Sequence, residues 1–298
     1  MGLPNFLVIG AAKAGTTALY HVLNQHPDIY MSPVKEPRYF APEFYQTNYE
    51  APLRNQNPKA PMTLAEYEDL FATAGDCKVI GEASTEYLYY PKTPGRIKAQ
   101  LPDVKLVAIL RNPVERAFSA YCYQLRDGCA PLSFEDAIAA EPQRIAQNWR
   151  PGWFYLKSGE YAAQLERYYA TFDAAQIKVY LYDKLRQEPA LLYRDLFSYL
   201  AVDPTFEPEM AQKNVSKVPA SQSLNTLKRR LKAIKPAVQT LMPAPVLKGL
   251  STNFDKFNMR SKPELDPGLR KRLRDHFSGD ILRLQDLIEK DLSMWLNV

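Results

Sequence analysis

The chain is poor in the residues that build metal centres and disulfide frameworks: 298 residues contain three cysteines and three histidines. Cys77, Cys122 and Cys129 are odd in number and lack the paired spacing of a zinc site, so neither a disulfide scaffold nor a bound metal is expected. A reducing, cytoplasmic setting suits them. No apolar run approaches the ~20 residues needed to cross a bilayer. The start of the chain shows no basic leader, long hydrophobic region or cleavage site, which argues against export, and Phe6 stands where a myristoylation signal needs Ser or Thr. No Gly/Ser linker, low-complexity tract or internal repeat divides the sequence, so one domain over 1–298 is expected. Lys and Arg exceed Asp and Glu by 38 − 33 = 5, which suggests an anionic ligand locally but is too small for a nucleic-acid coat.

What is present is an alternation of short β-type runs with helical patterns. The runs at 5–10, 78–83, 104–110 and 177–182 are continuously apolar, as strands covered on both faces are, and predict a parallel sheet in an α/β fold. A further short strand is expected near 29–31. Helices are expected over 16–25, 63–73, 113–126, 159–171 and 184–200, with two more in the C-terminal stretch separated near Ser278-Gly279. The segments 41–62 and 127–158, rich in Pro, Tyr, Trp and Asn, read as long loops that shape a site.

The first such unit, FLVIGAAKAGTTALYHVL (6–23), places Gly10 and Gly15 at the spacing of a phosphate loop between a strand and a helix. Backbone N–H groups and a helix N-terminus then surround an anion. A nucleotide-binding phosphate loop carries its lysine after the second glycine, but here that residue is Thr16 and the lysine is Lys13, inside the turn. Thr16 and Thr17 add hydroxyl donors, while Lys13 is suited to lie over the oxygen linking phosphorus to a transferred group. An NTPase would also need an acidic metal ligand at a neighbouring strand end. The 104–110 run ends in Arg111 instead, although Glu82 at the end of another run keeps a Mg²⁺-dependent P-loop kinase or NTPase open as a rival. A catalytically inactive nucleotide-binding protein is the other alternative. Arg111 suits bidentate phosphate binding, with Ser119 on the helix begun by Pro113; the plain alternative pairs Arg111 with Glu115.

KAGTTALYHVLNQHP, KEPRYF and RNPVERAFSAY, in that order and spacing, resemble the sulfotransferases that use 3′-phosphoadenylyl sulfate (PAPS), especially the branch of the heparan sulfate sulfotransferases and bacterial relatives. Later segments, YDKLRQEPALLYRDLFSYLAVDP, NVSKVPASQSL and LDPGLRKRLRDHF, extend the resemblance through most of the chain. It implies a P-loop-type sulfotransferase fold without a metal. Lys13, Ala14, Gly15, Thr16 and Thr17 would hold the donor's 5′-phosphosulfate, Arg111 and Ser119 its 3′-phosphate, and Lys262 would sit in a late basic loop that closes over the nucleotide. The product is adenosine 3′,5′-bisphosphate (PAP).

The resemblance also implies that Glu36, in SPVKEPRYF, is the base that takes the acceptor's proton. Without it, Lys35-Glu36 reads as a surface pair. His21, His26 and His276 are poorly placed for the task. Relatives often carry Lys where this chain has Ala83, so a second cation on the sulfonate is missing or comes from Lys35 or Arg38. The acceptor is expected to be a hydroxyl or amine of a glycan or a lipid-linked molecule. QNWRPGWFYLKSGEY suits sugar stacking, with an aromatic loop core as the alternative. LNTLKRRLKAIK (224–235) puts Leu224, Leu227, Leu231 and Ile234 on one stripe, suited either to peripheral membrane contact or to packing on the domain.

Overall fold

The computed structural model describes residues 2–48, 60–127, 129–209, 217–219, 259–261 and 263–297. Its centre is a sheet built from β1 (Phe6–Gly10), β2 (Ile29–Met31), β3 (Val79–Ala83), β4 (Lys105–Leu110) and β5 (Ile177–Leu181). The order is β2-β3-β1-β4-β5, and all four pairings are parallel. Phe6, Leu7, Val8 and Ile9 have no exposed surface, nor do Leu106 to Leu110 of β4, as their unbroken apolarity requires of strands covered on both faces. All five strands fall within a residue of their expected positions.

Helix α1 (Thr16–Leu23) follows β1, α2 (Leu64–Asp69) and α3 (Thr93–Gln100) flank β3, and α4 (Pro113–Arg126) follows β4. Asn112 caps α4 by accepting from the N–H groups of Val114 and Glu115, and Pro113 sits in the first turn, where its missing donor costs nothing. Thr63 and Glu66 form a reciprocal capping box at the start of α2, which is shorter than the expected 63–73.

Three expectations need correction. The segment 127–158 is not simply a loop: it contains α5 (Phe134–Ala139) and α6 (Glu141–Ala146), single-turn elements too short to show periodicity. The 184–200 helix is two: α8 (Tyr182–Gln187) and α9 (Pro189–Leu200), separated at Glu188 because Pro189 cannot continue a helix. Between β5 and α6 lies α7 (Tyr161–Tyr169). The C-terminal pair, by contrast, is mostly one helix, α10 (Pro267–Ile288), which runs through Ser278 and Gly279. Leu269, Leu273, Phe277, Ile281, Leu284 and Ile288 hold one buried stripe across the supposed break, while Gly279 faces open space and costs ~1 kcal/mol at most.

A short antiparallel pair, Lys217–Pro219 with Met259–Ser261, lies outside the main sheet, and a last helical turn, α11 (Ser293–Leu296), follows α10. Lys262 and the 224–235 stripe lie outside the described residues. No helix among the described residues is long and apolar enough to span a membrane.

Candidate active site

The carboxyl ends of β1, β3 and β4 lie side by side at the centre of the sheet, and the loops leaving them carry the candidate residues. That edge is where ligands bind in open α/β sheets. The β1 loop is drawn onto the sheet by hydrogen bonds from Ala11 N to Ile109 O (2.8 Å) and from Leu88 N to Ile9 O (2.9 Å). Gly10 is required by close approach: a Cβ there would come within 2.8 Å of Leu88 Cβ. Gly15 is required by conformation, since it precedes α1 with φ 100°, and a Cβ would also meet the Tyr182 ring at 3.0 Å. Ala14 is buried against the core, Thr16 is buried at the first helical turn and Thr17 is exposed.

Lys13 adopts a left-handed backbone conformation, φ 70°, which a non-glycine residue holds only when its surroundings fix it. Its carbonyl accepts from Arg111 Nη1 at 3.4 Å, and its ammonium lies 4.0 Å from the centre of the Tyr123 ring on α4. Burial lowers the Lys13 pKa to about 8, with repulsion from Arg126 acting in the same direction. An anion at this loop would relieve that crowding of positive charge.

Arg111 leaves β4 as expected, and its guanidinium stacks over the Tyr182 ring at 4.8 Å. Its contact with Glu115 is long, 3.5 Å, and Glu115 is held more closely by Arg270 at 2.8 Å. The Arg111-Glu115 pair therefore exists but is not tight. Through Lys13 O, Arg111 joins the two proposed anion sites. Ser119 stands half-buried on α4, two turns from its start.

Glu36 lies at the end of β3. Its N–H donates to Ala83 O (2.9 Å), and its carboxylate accepts from Thr85 N at 2.8 Å. Lys35 pairs with it as the surface reading required, but the Glu36 side chain is only 17% exposed and cannot be a solvated surface group. Arg38 donates to Glu36 O at 3.0 Å and binds Glu86 through Nε at 3.0 Å. Burial, then the Glu86 charge, raise the Glu36 pKa to about 7, against the opposing pull of Lys35 and Arg38. Glu86 moves the other way: burial opposes its ionisation, but Arg38 holds it below the ordinary carboxylate range.

Glu82, on which the metal-dependent rival rests, turns into the protein. It has no exposed surface, and its oxygens accept from Ser84 Oγ (2.9 Å) and Tyr67 OH (3.4 Å). Burial raises its pKa to about 8. The stability owed to this neutral carboxyl is complete below the ordinary glutamate pKa and is lost as pH rises from there through about 8. Glu82→Gln keeps the size and removes the ionisation, so its melting temperature is expected to fall less than that of the wild type between pH 5 and pH 9, measured by circular dichroism. Parallel curves would mean that Glu82 does not ionise in this range.

A cavity of about 140 Å³ opens beside Lys13, lined by Thr85, Glu86 and Tyr89 on one side and by Arg116, Tyr123 and Gln124 on the other. Glu86, Thr85 and Arg116 are site residues that sequence reasoning missed. A signal existed for the first two: β3 ends at Ala83, so residues 84–86 had to lie on the ligand-binding edge. Arg116 gave none, because a helical arginine ordinarily faces water, whereas this one is 2% exposed and donates to Phe154 O and Tyr155 O. The aromatic segment is also resolved. Trp153 and Phe154 are buried with Cys129, and Tyr155 is in the main core, so these rings build the loop core and are not a free stacking platform. His26 is buried between Phe197 and Phe206, away from any catalytic task.

A parallel sheet with the Gly10–Gly15 loop after its central strand and Arg111 after the next defines an α/β protein of the P-loop type. The model of the sulfotransferase family matches residues 4–208, and the chain belongs to that family. A sulfotransferase structure from Alicyclobacillus acidocaldarius is 33% identical, covers 99% of both chains and superposes with a TM-score of 0.76. The bifunctional heparan sulfate N-deacetylase/N-sulfotransferase 4 of Mus musculus is 31% identical over 229 residues, 70% of this chain and 24% of its own length. The Homo sapiens heparan sulfate glucosamine 3-O-sulfotransferase 3B1 is 29% identical over 188 residues, 63% of this chain and 43% of its own length. The chain thus matches less than half the length of either curated relative.

Proposed function

We propose that this chain transfers a sulfuryl group from PAPS to a hydroxyl or amine of an acceptor, with a glycan as the favoured class, in a single in-line displacement. The observation that carries the reading is the convergence of Lys13, Arg111 and Glu36 on the ends of three adjacent strands, with Lys13 and the Glu36 partners Thr85 and Glu86 lining one cavity. Two cationic side chains and a loop that leads into a helix N-terminus fit a ligand with two separate phosphates. The donor supplies an activated sulfuryl group on a phosphate leaving group.

The chain's own residues do the rest. Lys13, with Gly15, Thr16 and Thr17, holds the 5′ end and carries positive charge where the departing phosphate gains negative charge. Arg111 and Ser119 hold the 3′-phosphate. Glu36 accepts the proton of the attacking hydroxyl or amine and becomes a carboxylic acid. The heparan sulfate names of the curated relatives support the glycan, and a lipid-linked acceptor is the second choice. The enclosure of Glu82 by Ser84 and Tyr67 weighs against a kinase.

Calorimetry with PAP in the absence of Mg²⁺ tests the donor site. The bisphosphate is expected to bind without metal, and Arg111→Ala to weaken it by ~1.5–3 kcal/mol, the range of a charge-assisted contact. The same variant should barely change the affinity for adenosine 5′-monophosphate, which lacks the 3′-phosphate. Equal losses for the two ligands would remove Arg111 from the 3′ site, and binding of ATP with Mg²⁺ in preference to PAP would favour the kinase.

A further inference from the structure

Glu36 and Arg38 both have left-handed backbones, φ 64° and φ 58°, on either side of Pro37. Neither is a glycine, so this turn must be held from outside. The hold begins with Arg38. Its Nη1 donates to Glu36 O (3.0 Å), its N–H donates to Ser84 Oγ (3.0 Å), and its guanidinium lies 4.2 Å from the centre of the Phe44 ring. Tyr45 OH closes the turn further by donating to Pro37 O at 3.0 Å. What fixes the guanidinium in turn is Glu86, whose carboxylate forms an ion pair with it, 3.0 Å from Arg38 Nε.

Glu86 also reaches the Glu36 side chain. The Thr85 hydroxyl lies 3.2 Å from Glu36 Oε2 and 3.4 Å from Glu86 Oε2, while Thr85 N donates to Glu36 Oε2. The two carboxyls thus share the Thr85 hydroxyl, and the negative charge of Glu86 favours the protonated form of Glu36. Of the two acids, Glu86 is the one that lines the cavity beside Lys13. We propose that Glu86 is a positioning residue for Glu36: clamped by Arg38, it fixes the Glu36 turn and places a second negative charge against the Glu36 carboxyl.

The consequence is electrostatic as well as steric. The groups facing Glu36 are Lys35 and Arg38 from its own loop, Glu86 from the turn after β3 and Glu82 from β3 itself. Lys35 and Arg38 favour the carboxylate, and the two glutamates favour the acid. Neutralising Glu86 therefore strips away the nearer opposing charge and frees Arg38 to serve Glu36. The inference deepens the assignment of Glu36 as base and rests on it for its catalytic meaning.

The test is a carboxyl ¹³C NMR titration of the full chain labelled at glutamate, with the Glu36 resonance assigned by its disappearance in Glu36→Gln. In the wild type, the Glu36 and Glu86 resonances are expected to report one another's protonation. In Glu86→Gln the Glu36 titration should move down by on the order of one pH unit or more. An unchanged far-ultraviolet circular dichroism spectrum and a cooperative melt in that variant show that the fold is intact, and Glu86→Asp should restore most of the shift. Independent single-step titrations in the wild type would overturn the proposal whether or not a variant folds, as would an unmoved Glu36 in Glu86→Gln. Turnover retained by Glu36→Gln would instead remove the base assignment and leave the carboxyl pair standing, so the two failures are distinct.

Discussion

Glu36→Gln is expected to bind PAP like the wild type and to lose turnover by on the order of 10²–10⁴-fold, the usual contribution of a general base. The substitution keeps the shape and the hydrogen bond from Thr85 N, so the turn around Pro37 should survive. What disappears is the group that receives the acceptor's proton. The pH dependence gives an independent check. Because burial and the neighbouring Glu86 raise the Glu36 pKa to about 7, the active carboxylate form fills as pH rises through neutrality, and wild-type turnover should climb with it. The residual rate of Glu36→Gln should lack that limb. The measurement is transfer from radiolabelled PAPS, with an acceptor found by screening glycans, lipid alcohols and amines, de-N-sulfated heparan sulfate among them. Wild-type turnover in the variant, where chemistry limits the rate, would return the search for the base to Glu86.

Much of the sheet could be read from the sequence because its strands are buried on both faces and so carry unbroken apolar runs. Phe6–Gly10 and Lys105–Leu110 leave little room for another reading. The P-loop-like turn was legible for a related reason: close approach to Leu88 and a left-handed backbone leave only glycine at positions 10 and 15. Short elements were not legible. Helices α5 and α6 are too brief for a helical period, and α3 (TPGRIKAQ) is polar, with Pro94 and Gly95 near its start. Its hold on the fold is tertiary, through Ile97 and the bidentate pair of Arg96 with Glu43.

The site shows the same division. Lys13 and Arg111 announce themselves by standing at strand ends, where an α/β sheet binds its ligand. Glu36 announces itself only through a resemblance, since its burial depends on contacts with Ala83 and Thr85, at and beyond the end of β3, that no local pattern encodes. Glu86 lies three residues beyond a strand whose last acid, Glu82, drew attention instead. Chemistry alone could not separate the two. Glu82 is on the strand with its side chain directed into the Tyr67 and Ser84 hydroxyls, whereas Glu86 is past the strand's end and meets the cavity.

Lys13→Ala should damage binding and chemistry together, and so contrast with Glu36→Gln. In the ground state Lys13 meets the donor's 5′ end, and its loss should weaken PAP by ~1.5–3 kcal/mol. In the transition state it faces the charge growing on the departing phosphate, so turnover should fall by a further factor on the order of 10²–10³ at saturating donor. The lowered pKa supplies a second signature. Burial and the neighbouring arginines leave the free enzyme's Lys13 titrating near pH 8, and a bound phosphate favours its charged form. PAP binding should therefore draw in a proton above that pH, and affinity should be highest below about 8 and decline as pH rises through it. Calorimetry at pH 7 and pH 9, in buffers of different ionisation enthalpy, measures this uptake directly. In Lys13→Ala the uptake should vanish along with the decline. An unchanged proton uptake in the variant would assign it to another group, and a variant with wild-type PAP affinity would place the ammonium over Tyr123 as a packing contact with no part in holding the donor.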